Sequence, residues 1–138
     1  MRYGKKVYSP IIGNGSADLL VSFEEMEAAR YLKQLKPGGK IVVNTLQIPP
    51  MPVLSGKKKY PQTIMEELKK KAAVLPLNAT QIATQLGNPK SANIVLLGAL
   101  VKALDLTDID WKEIIVRTVK PQFAEINLKA FDVGMAAV

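Results

Sequence analysis

Two short apolar runs, Leu19–Val21 and Ile41–Val43, stand on either side of one amphipathic helical pattern, and that arrangement permits few folds. Neither run alternates with polar residues, and both are rich in branched side chains, as strands buried on both faces require. The segment between them is long enough for a helical crossover. Residues 17–45 are therefore predicted to form a βαβ unit with parallel strands. The helix is signed at both ends. Ser22 and Glu25 fit a capping box, and Val21 and Met26 fit a hydrophobic staple outside it. Glu24 and Glu25 sit where the helix dipole favours negative charge. Ala28, Leu32 and Leu35 recur at i, i+4 and i+7, one core-facing stripe. Lys33 and Lys36 complement the last turn, and Pro37-Gly38-Gly39 stops the helix.

The rest of the chain extends this plan. Val7-Tyr8-Ser9-Pro10-Ile11-Ile12 reads as the end of a strand, halted by Pro10. Gly13-Asn14-Gly15-Ser16 is a loop. It is not a dinucleotide fingerprint, because its glycines precede a strand instead of following one. Residues 45–61 form a long connection, functional or simply a surface excursion. In it Ile48-Pro49-Pro50-Met51-Pro52 is predicted to be extended. Residues 62–71 read as a helix with Ile64, Met65 and Leu68 inward. Ala73–Leu77 reads as a third buried strand ended by Pro76. Asn78 and Gln81 offer a second capping box, for a helix ending at Gly87. Residues 93–104 are apolar nearly all round, so that helix must be covered on more than one side. Asp108 or Thr107 is expected to cap a helix from about Ile109 to Val119, and Pro121 opens the last one. On that helix Phe123, Asn127, Phe131 and Gly134 share one face. The expected architecture is α/β: a three-layer α/β/α arrangement with a small mainly parallel sheet (βαβαβ core) followed by C-terminal helices. Length places the 138 residues in a single domain, 1–138.

Composition narrows the chemistry. Cysteine and histidine are both absent, which removes disulfides, zinc fingers, iron–sulfur ligation by this chain and any His-based triad. No clustered Asp/Glu spacing suggests a metal site. No apolar run approaches the roughly 18 residues of a membrane span, and the basic N-terminus has no apolar core behind it. A cytoplasmic location is expected. The net charge of +7 comes largely from Lys57-Lys58-Lys59 and Lys69-Lys70-Lys71. Such runs are commonly solvated surface, but they also suit a phosphorylated ligand or an acidic partner. Nucleic acid is not expected: the three Phe, four Tyr and one Trp are not interleaved with the lysines.

Four passages carry a resemblance to a known family. They are Tyr8-Ser9-Pro10-Ile11-Ile12; Ala17-Asp18-Leu19-Leu20 through Phe23-Glu24 and Glu27-Ala28; Leu35-Lys36-Pro37-Gly38-Gly39 with Val42-Val43-Asn44-Thr45 and Ile48-Pro49-Pro50; and Asn93 with Leu97-Gly98-Ala99-Leu100, joined by Glu125-Ile126-Asn127, Ala130-Phe131 and Gly134. Together they resemble the small (beta) subunit of indolepyruvate:ferredoxin oxidoreductase, equivalent to the gamma subunit or domain of the 2-oxoacid:ferredoxin oxidoreductases. Family members usually begin with a strand, a glycine-rich turn and a helix that this sequence lacks. The chain resembles the C-terminal two-thirds of such a subunit, and an uncovered sheet edge or face is expected.

The resemblance implies a subunit that is not catalytic alone. In the family a 2-oxoacid is decarboxylated on thiamine diphosphate, electrons leave through iron–sulfur clusters to ferredoxin, and the acyl group passes to coenzyme A. For the indolepyruvate type the substrates are aryl pyruvates. Those cofactors belong to the large thiamine diphosphate-binding (alpha) subunit, and none is expected on this chain. Ligands of open α/β sheets bind beyond the carboxyl ends of the strands. Candidate ligand or subunit-interface residues are therefore Ser22, Phe23, Glu24, Asn44, Thr45 and Asn78, with Asn93 added from the resemblance. Plain capping competes for Ser22 and Asn78, and helix-to-helix hydrogen bonding for Asn93 and Asn127. Lys57, Lys58 and Lys59 are candidate contacts for phosphate or ferredoxin. A homodimer of the isolated chain is left open. The alternative is a free-standing α/β module that binds a nucleotide or protein. An independent enzyme is disfavoured, because Asp18, Glu24 and Glu27 are explained by turns and caps and no nucleophile–base pair stands out.

Overall fold

The computed structural model describes all of residues 1–138. Its strands are β1 (Ala17–Ser22), β2 (Leu35–Asn44) and β3 (Ala73–Leu77). Its helices are α1 (Glu25–Tyr31), α2 (Met51–Leu54), α3 (Ile64–Lys71), α4 (Ala79–Gln85), α5 (Ala92–Ala103), α6 (Trp111–Thr118) and α7 (Ala124–Ala136). The sheet order is β1-β2-β3, and both pairs are parallel. Parallel pairing needs crossovers, and α1 and α3 supply them.

The central strand shows why its apolar run does not alternate. Val42 packs against Val95, Leu96 and Ala99 of α5 and Ala130 of α7. Its neighbours Ile41 and Val43 point to the other face, against Ala28 of α1 and Ile64 and Leu68 of α3. All three β2 residues have no exposed surface. The sheet is thus sandwiched between α4, α5 and α7 on one side and α1 and α3 on the other, the three-layer arrangement the pattern implied. A third cluster, Val101, Ile115 and Phe131, ties α6 to α5 and α7. Trp111 packs there, and its Nε1 donates to the Leu106 carbonyl at 2.7 Å. No helix is long and apolar enough to cross a membrane.

Several local expectations are corrected. Ser22 ends β1 instead of capping α1, and its Oγ donates to the Glu24 carbonyl at 2.7 Å. The cap is Glu24, whose carboxylate accepts from the amides of Glu27 (2.9 Å) and Met26 (3.3 Å). Val21 and Met26 pack on opposite faces of the sheet, so they form no staple. The helix stops near residue 34, and Pro37-Gly38-Gly39 lies inside β2 as an irregularity. Ala17 pairs with Leu35 and Leu19 with Lys40, so Lys36 to Gly39 bulge out of the ladder. Gly38 has φ +77°, a conformation only glycine adopts freely, and Lys36 reaches across to Asp18.

Residues 1–12 form no strand. They have no partner in the sheet, and Arg2 instead donates to the carbonyls of Ser9 and Ile11. Pro76 does not end β3, since Leu77 still pairs with Asn44. Pro52 sits in the first turn of α2, where its missing N–H costs nothing, so the Pro-rich stretch is not wholly extended. Asp110, not Thr107 or Asp108, caps α6 by accepting from the Glu113 amide at 2.9 Å. Asn78 does cap α4, accepting from the Gln81 amide at 3.0 Å.

Candidate functional site

At the carboxyl ends of the strands, one side chain joins three elements. Asn44 is 2% exposed, and its Nδ2 donates to the Phe23 carbonyl (3.0 Å) beyond β1 and to Thr80 Oγ1 (2.9 Å) in α4. Its Oδ1 is buried and has no partner. Thr45 continues the ladder, its amide donating to the Leu77 carbonyl at 3.0 Å. The loop leaving β2 folds back over α1. Glu25 N–H donates to the Leu46 carbonyl at 3.1 Å, and Gln47 Nε2 donates to Glu25 Oε2 at 2.9 Å.

Two carboxylates are therefore buried at this end, Glu24 at 8% and Glu25 at 7% exposure. Neither has a cationic partner. Amide donors stabilise them instead: two backbone N–H groups for Glu24 and the Gln47 amide for Glu25. The Tyr60 hydroxyl is buried without a hydrogen-bond partner. Burial first, then the charges of Glu24 and Glu25, push its phenol above the ordinary 10.0. A raised folded pKa means this contribution to stability is fully present below about pH 10 and is lost as pH rises through the folded value. Unfolding free energy is therefore expected to fall in strongly alkaline solution, and Tyr60→Phe to remove part of that slope. Urea titrations from pH 8 upward check this; identical slopes for the two proteins would contradict it.

The structure brings together Ser22, Phe23, Glu24, Asn44 and Thr45, with Asn78 adjoining through α4. The Asn78 side chain is engaged in its cap, in line with the plainer explanation. Asn93 lies elsewhere, in a separate cavity at the start of α5. Asn127 bridges no helices: its Nδ2 donates to the Phe123 carbonyl one turn back, at 2.8 Å. Lys57, Lys58 and Lys59 are exposed after α2 and form no ion pair. Sequence reasoning missed Glu25, Gln47, Tyr60 and Thr80 as members of this end. Their meeting depends on the return path of the loop, which no local pattern encodes. Around the polar cluster, Phe23, Leu46, Ile48, Met51 and Leu54 expose apolar surface on Phe23 and the loop that leaves the same end.

This end holds buried acceptors and an apolar rim, but no nucleophile beside a base. No group of three or more His, Cys, Asp or Glu could hold a metal ion. The residues present do not fit an iron–sulfur cluster held by thiolates, since the chain has no cysteine. Fold and site together define an open parallel α/β domain whose strand ends gather buried polar groups beneath exposed apolar side chains.

Comparison with known proteins makes the assignment specific. Residues 1–137 match the family described as pyruvate ferredoxin/flavodoxin oxidoreductase, and the chain belongs to that family. The indolepyruvate oxidoreductase subunit IorB of Pyrococcus horikoshii is 37% identical over 145 residues, covering 99% of this chain and 71% of the relative. Among solved structures, the gamma subunit of a keto/oxoacid ferredoxin oxidoreductase from Geobacter sulfurreducens superposes with a TM-score of 0.64 at 24% identity. The match covers 92% of this chain and 67% of that one. A 2-oxoglutarate:ferredoxin oxidoreductase from Magnetococcus marinus, with 2-oxoglutarate, coenzyme A and succinyl-CoA bound, gives a TM-score of 0.62 at 22% identity. There the match covers 96% of this chain and 21% of the neighbour. At these identities the two structures establish the fold.

Proposed function

We propose that the chain acts as the cofactor-free small subunit of an indolepyruvate-type 2-oxoacid:ferredoxin oxidoreductase. It supports oxidative decarboxylation of aryl pyruvates to acyl-CoA by a large thiamine diphosphate- and iron–sulfur-containing partner. The observation that carries this is the 37% identity to an indolepyruvate oxidoreductase subunit across 99% of the chain. A chain without cysteine or histidine suits a subunit whose catalysis lies with its neighbour.

The end of the sheet around Asn44 is the docking surface in this proposal. Exposed Phe23, Ile48, Met51 and Leu54 supply the apolar area that a stable interface needs. Beneath that apolar rim the buried Asn44, Glu24 and Glu25 side chains tie the strand ends to α1, α4 and the loop after β2. The unpaired lysines 57–59 face outward, where an acidic ferredoxin or a phosphate of coenzyme A would meet them.

Co-expression with a large thiamine-dependent subunit and affinity capture through a tag on this chain tests the assembly. The expected result is a stoichiometric complex. Recovery of the chain alone, at every salt concentration tried, would refute the subunit assignment. In the complex, replacing Lys57, Lys58 and Lys59 with Gln is expected to lower turnover at low ionic strength, and the difference should fade as salt screens the charges. Equal rates at low salt would leave these lysines as plain surface.

A further inference from the structure

The two outer edges of the sheet are not alike. Successive residues of a strand send their N–H and C=O groups to opposite sides, so register decides which groups meet a neighbour and which face outward. The Thr45 amide donates to the Leu77 carbonyl. Leu77 and Leu75 therefore face β2, and Val74 and Pro76 lie on the outer edge of β3. Proline has no N–H to offer there, and it guards that edge against a further strand. The same alternation turns Val42 of β2 towards β1, where its register partner is Val21. Leu20 and Ser22, on either side of that partner, then face β2, and Leu19 and Val21 face outward. β1 contains no proline.

β1 also has the composition of a strand with a neighbour on each side. Leu19-Leu20-Val21 is as unalternating as Ile41-Val42-Val43, yet the β1 residues are only partly buried where those of β2 have no exposed surface. Leu19 and Val21 pack against the cluster formed by α4, α5 and α7, and Leu20 packs against that of α1 and α3, so both faces of β1 are occupied and its outer flank stays open. Turns and loops of the chain supply no backbone bond to Leu19 or Val21. The charges that commonly keep an exposed edge apart are missing as well. Asp18 is the only ionised residue of β1, and Lys36 engages it.

From this asymmetry we infer that β1 is a dimerisation edge: β1 of a second copy of this chain adds to it antiparallel and joins the two three-stranded sheets into one. The strand is self-complementary about Leu20. A two-fold axis there sets Leu19 opposite Val21 of the second copy, and Val21 opposite Leu19 of the second copy. The outward groups of these residues then exchange four hydrogen bonds. Leu20 meets its own counterpart, and Asp18 falls opposite Ser22 of the second copy, so no like charges are opposed. Leu19 and Val21 share one face, and each pair covers the flank that the other leaves open. The contact is short, six residues a side, and each copy carries a charge of +7. The dimer is therefore concentration-dependent, and salt strengthens it by screening the repulsion. The inference stands on β1 alone and holds or fails independently of the subunit assignment.

Sedimentation velocity of the full chain over a concentration series, at low and high sodium chloride, tests this together with residue-resolved amide exchange on the same samples. A monomer–dimer equilibrium that shifts towards dimer with salt is expected. Exchange protection of the Leu19 and Val21 amides should rise with protein concentration, whereas Leu20 and Ser22, bonded within the chain, should be protected at every concentration. Val21→Pro copies onto β1 the guard that Pro76 gives β3. It removes one ladder hydrogen bond per copy and should weaken the dimer by about 30-fold. Ile48→Asp, on the strand-end surface, should leave the dimer intact. The exchange measurement needs no variant, so the outcome is read even where Val21→Pro does not fold. A monomer at every concentration up to the solubility limit overturns the proposal. So does a dimer in which Leu19 and Val21 gain no protection, or one that Ile48→Asp abolishes.

Discussion

Gly134→Ala is expected to destabilise the chain by about 3 kcal/mol, the upper end of what overpacking a core costs when nothing can move aside. In an ordinary helix the same change would be favourable by about 1 kcal/mol, so the sign itself is diagnostic. The reason is the crossing of α5 and α7. A Cβ placed on Gly134 would lie 2.0 Å from the Val95 carbonyl oxygen and 2.8 Å from its carbon. From the other side, a Cβ on Gly98 would lie 2.3 Å from the Phe131 carbonyl oxygen and 2.8 Å from the Met135 amide nitrogen. These are backbone atoms in regular helix, and no rotamer change relieves the contact. The helices must separate, and with them the cluster that holds Val95, Leu96, Ala99 and Ala130 against Val42. Domains of this size have roughly 5–15 kcal/mol in total, so the loss is a large share. Gly98→Ala should cost a similar amount, and the double variant less than the sum, because both changes open one contact. Urea unfolding midpoints at constant slope measure this; a midpoint at or above wild type for either variant would show that the helices do not cross at these glycines.

The second large effect concerns assembly instead of folding. Replacing both Phe23 and Ile48 with Asp should leave the isolated chain within about 0.5 kcal/mol of wild type per site, since both side chains are more than half exposed (57% and 55%). Capture of the large subunit should fall by at least about 100-fold, or roughly 2.7 kcal/mol. An unpaired carboxylate in a desolvated apolar contact costs that much or more. It would also stand beside Glu24 and Glu25, which already concentrate negative charge at this end. A double variant that co-purifies with the large subunit as well as wild type does would remove the carboxyl ends of the strands from the interface.

How far the sequence reached depended on the range of each signal. The two unalternating runs located β1 and β2, because burial on both faces leaves a direct mark on composition. Asn78 was legible as a cap because its partner, Gln81, lies three residues away. The shared face of Phe131 and Gly134 was visible as helical periodicity, but its partner Gly98 was not, since nothing local records which backbone will approach. Pro37-Gly38-Gly39 misled for a physical reason: a turn after a helix and a bulge inside a strand both need glycine at positive φ, and only the pairing partner distinguishes them. Glu24 takes the capping role expected of Ser22 because β1 runs one residue further than expected, which moves the cap by two. The candidate site was half legible. The strand ends were predictable from the βαβ order, whereas Asn44 binds Thr80 across 36 positions and Tyr60 returns from a long loop to buried carboxylates.

Ferredoxin reduction by the reconstituted pair, with indolepyruvate, pyruvate and 2-oxoglutarate supplied in turn, weighs the whole account in one assay. Rapid reduction with indolepyruvate that requires both this chain and the large subunit, and that the chain alone never shows, is the predicted result. Full activity of the large subunit without this chain, or turnover by this chain unaided, would contradict it.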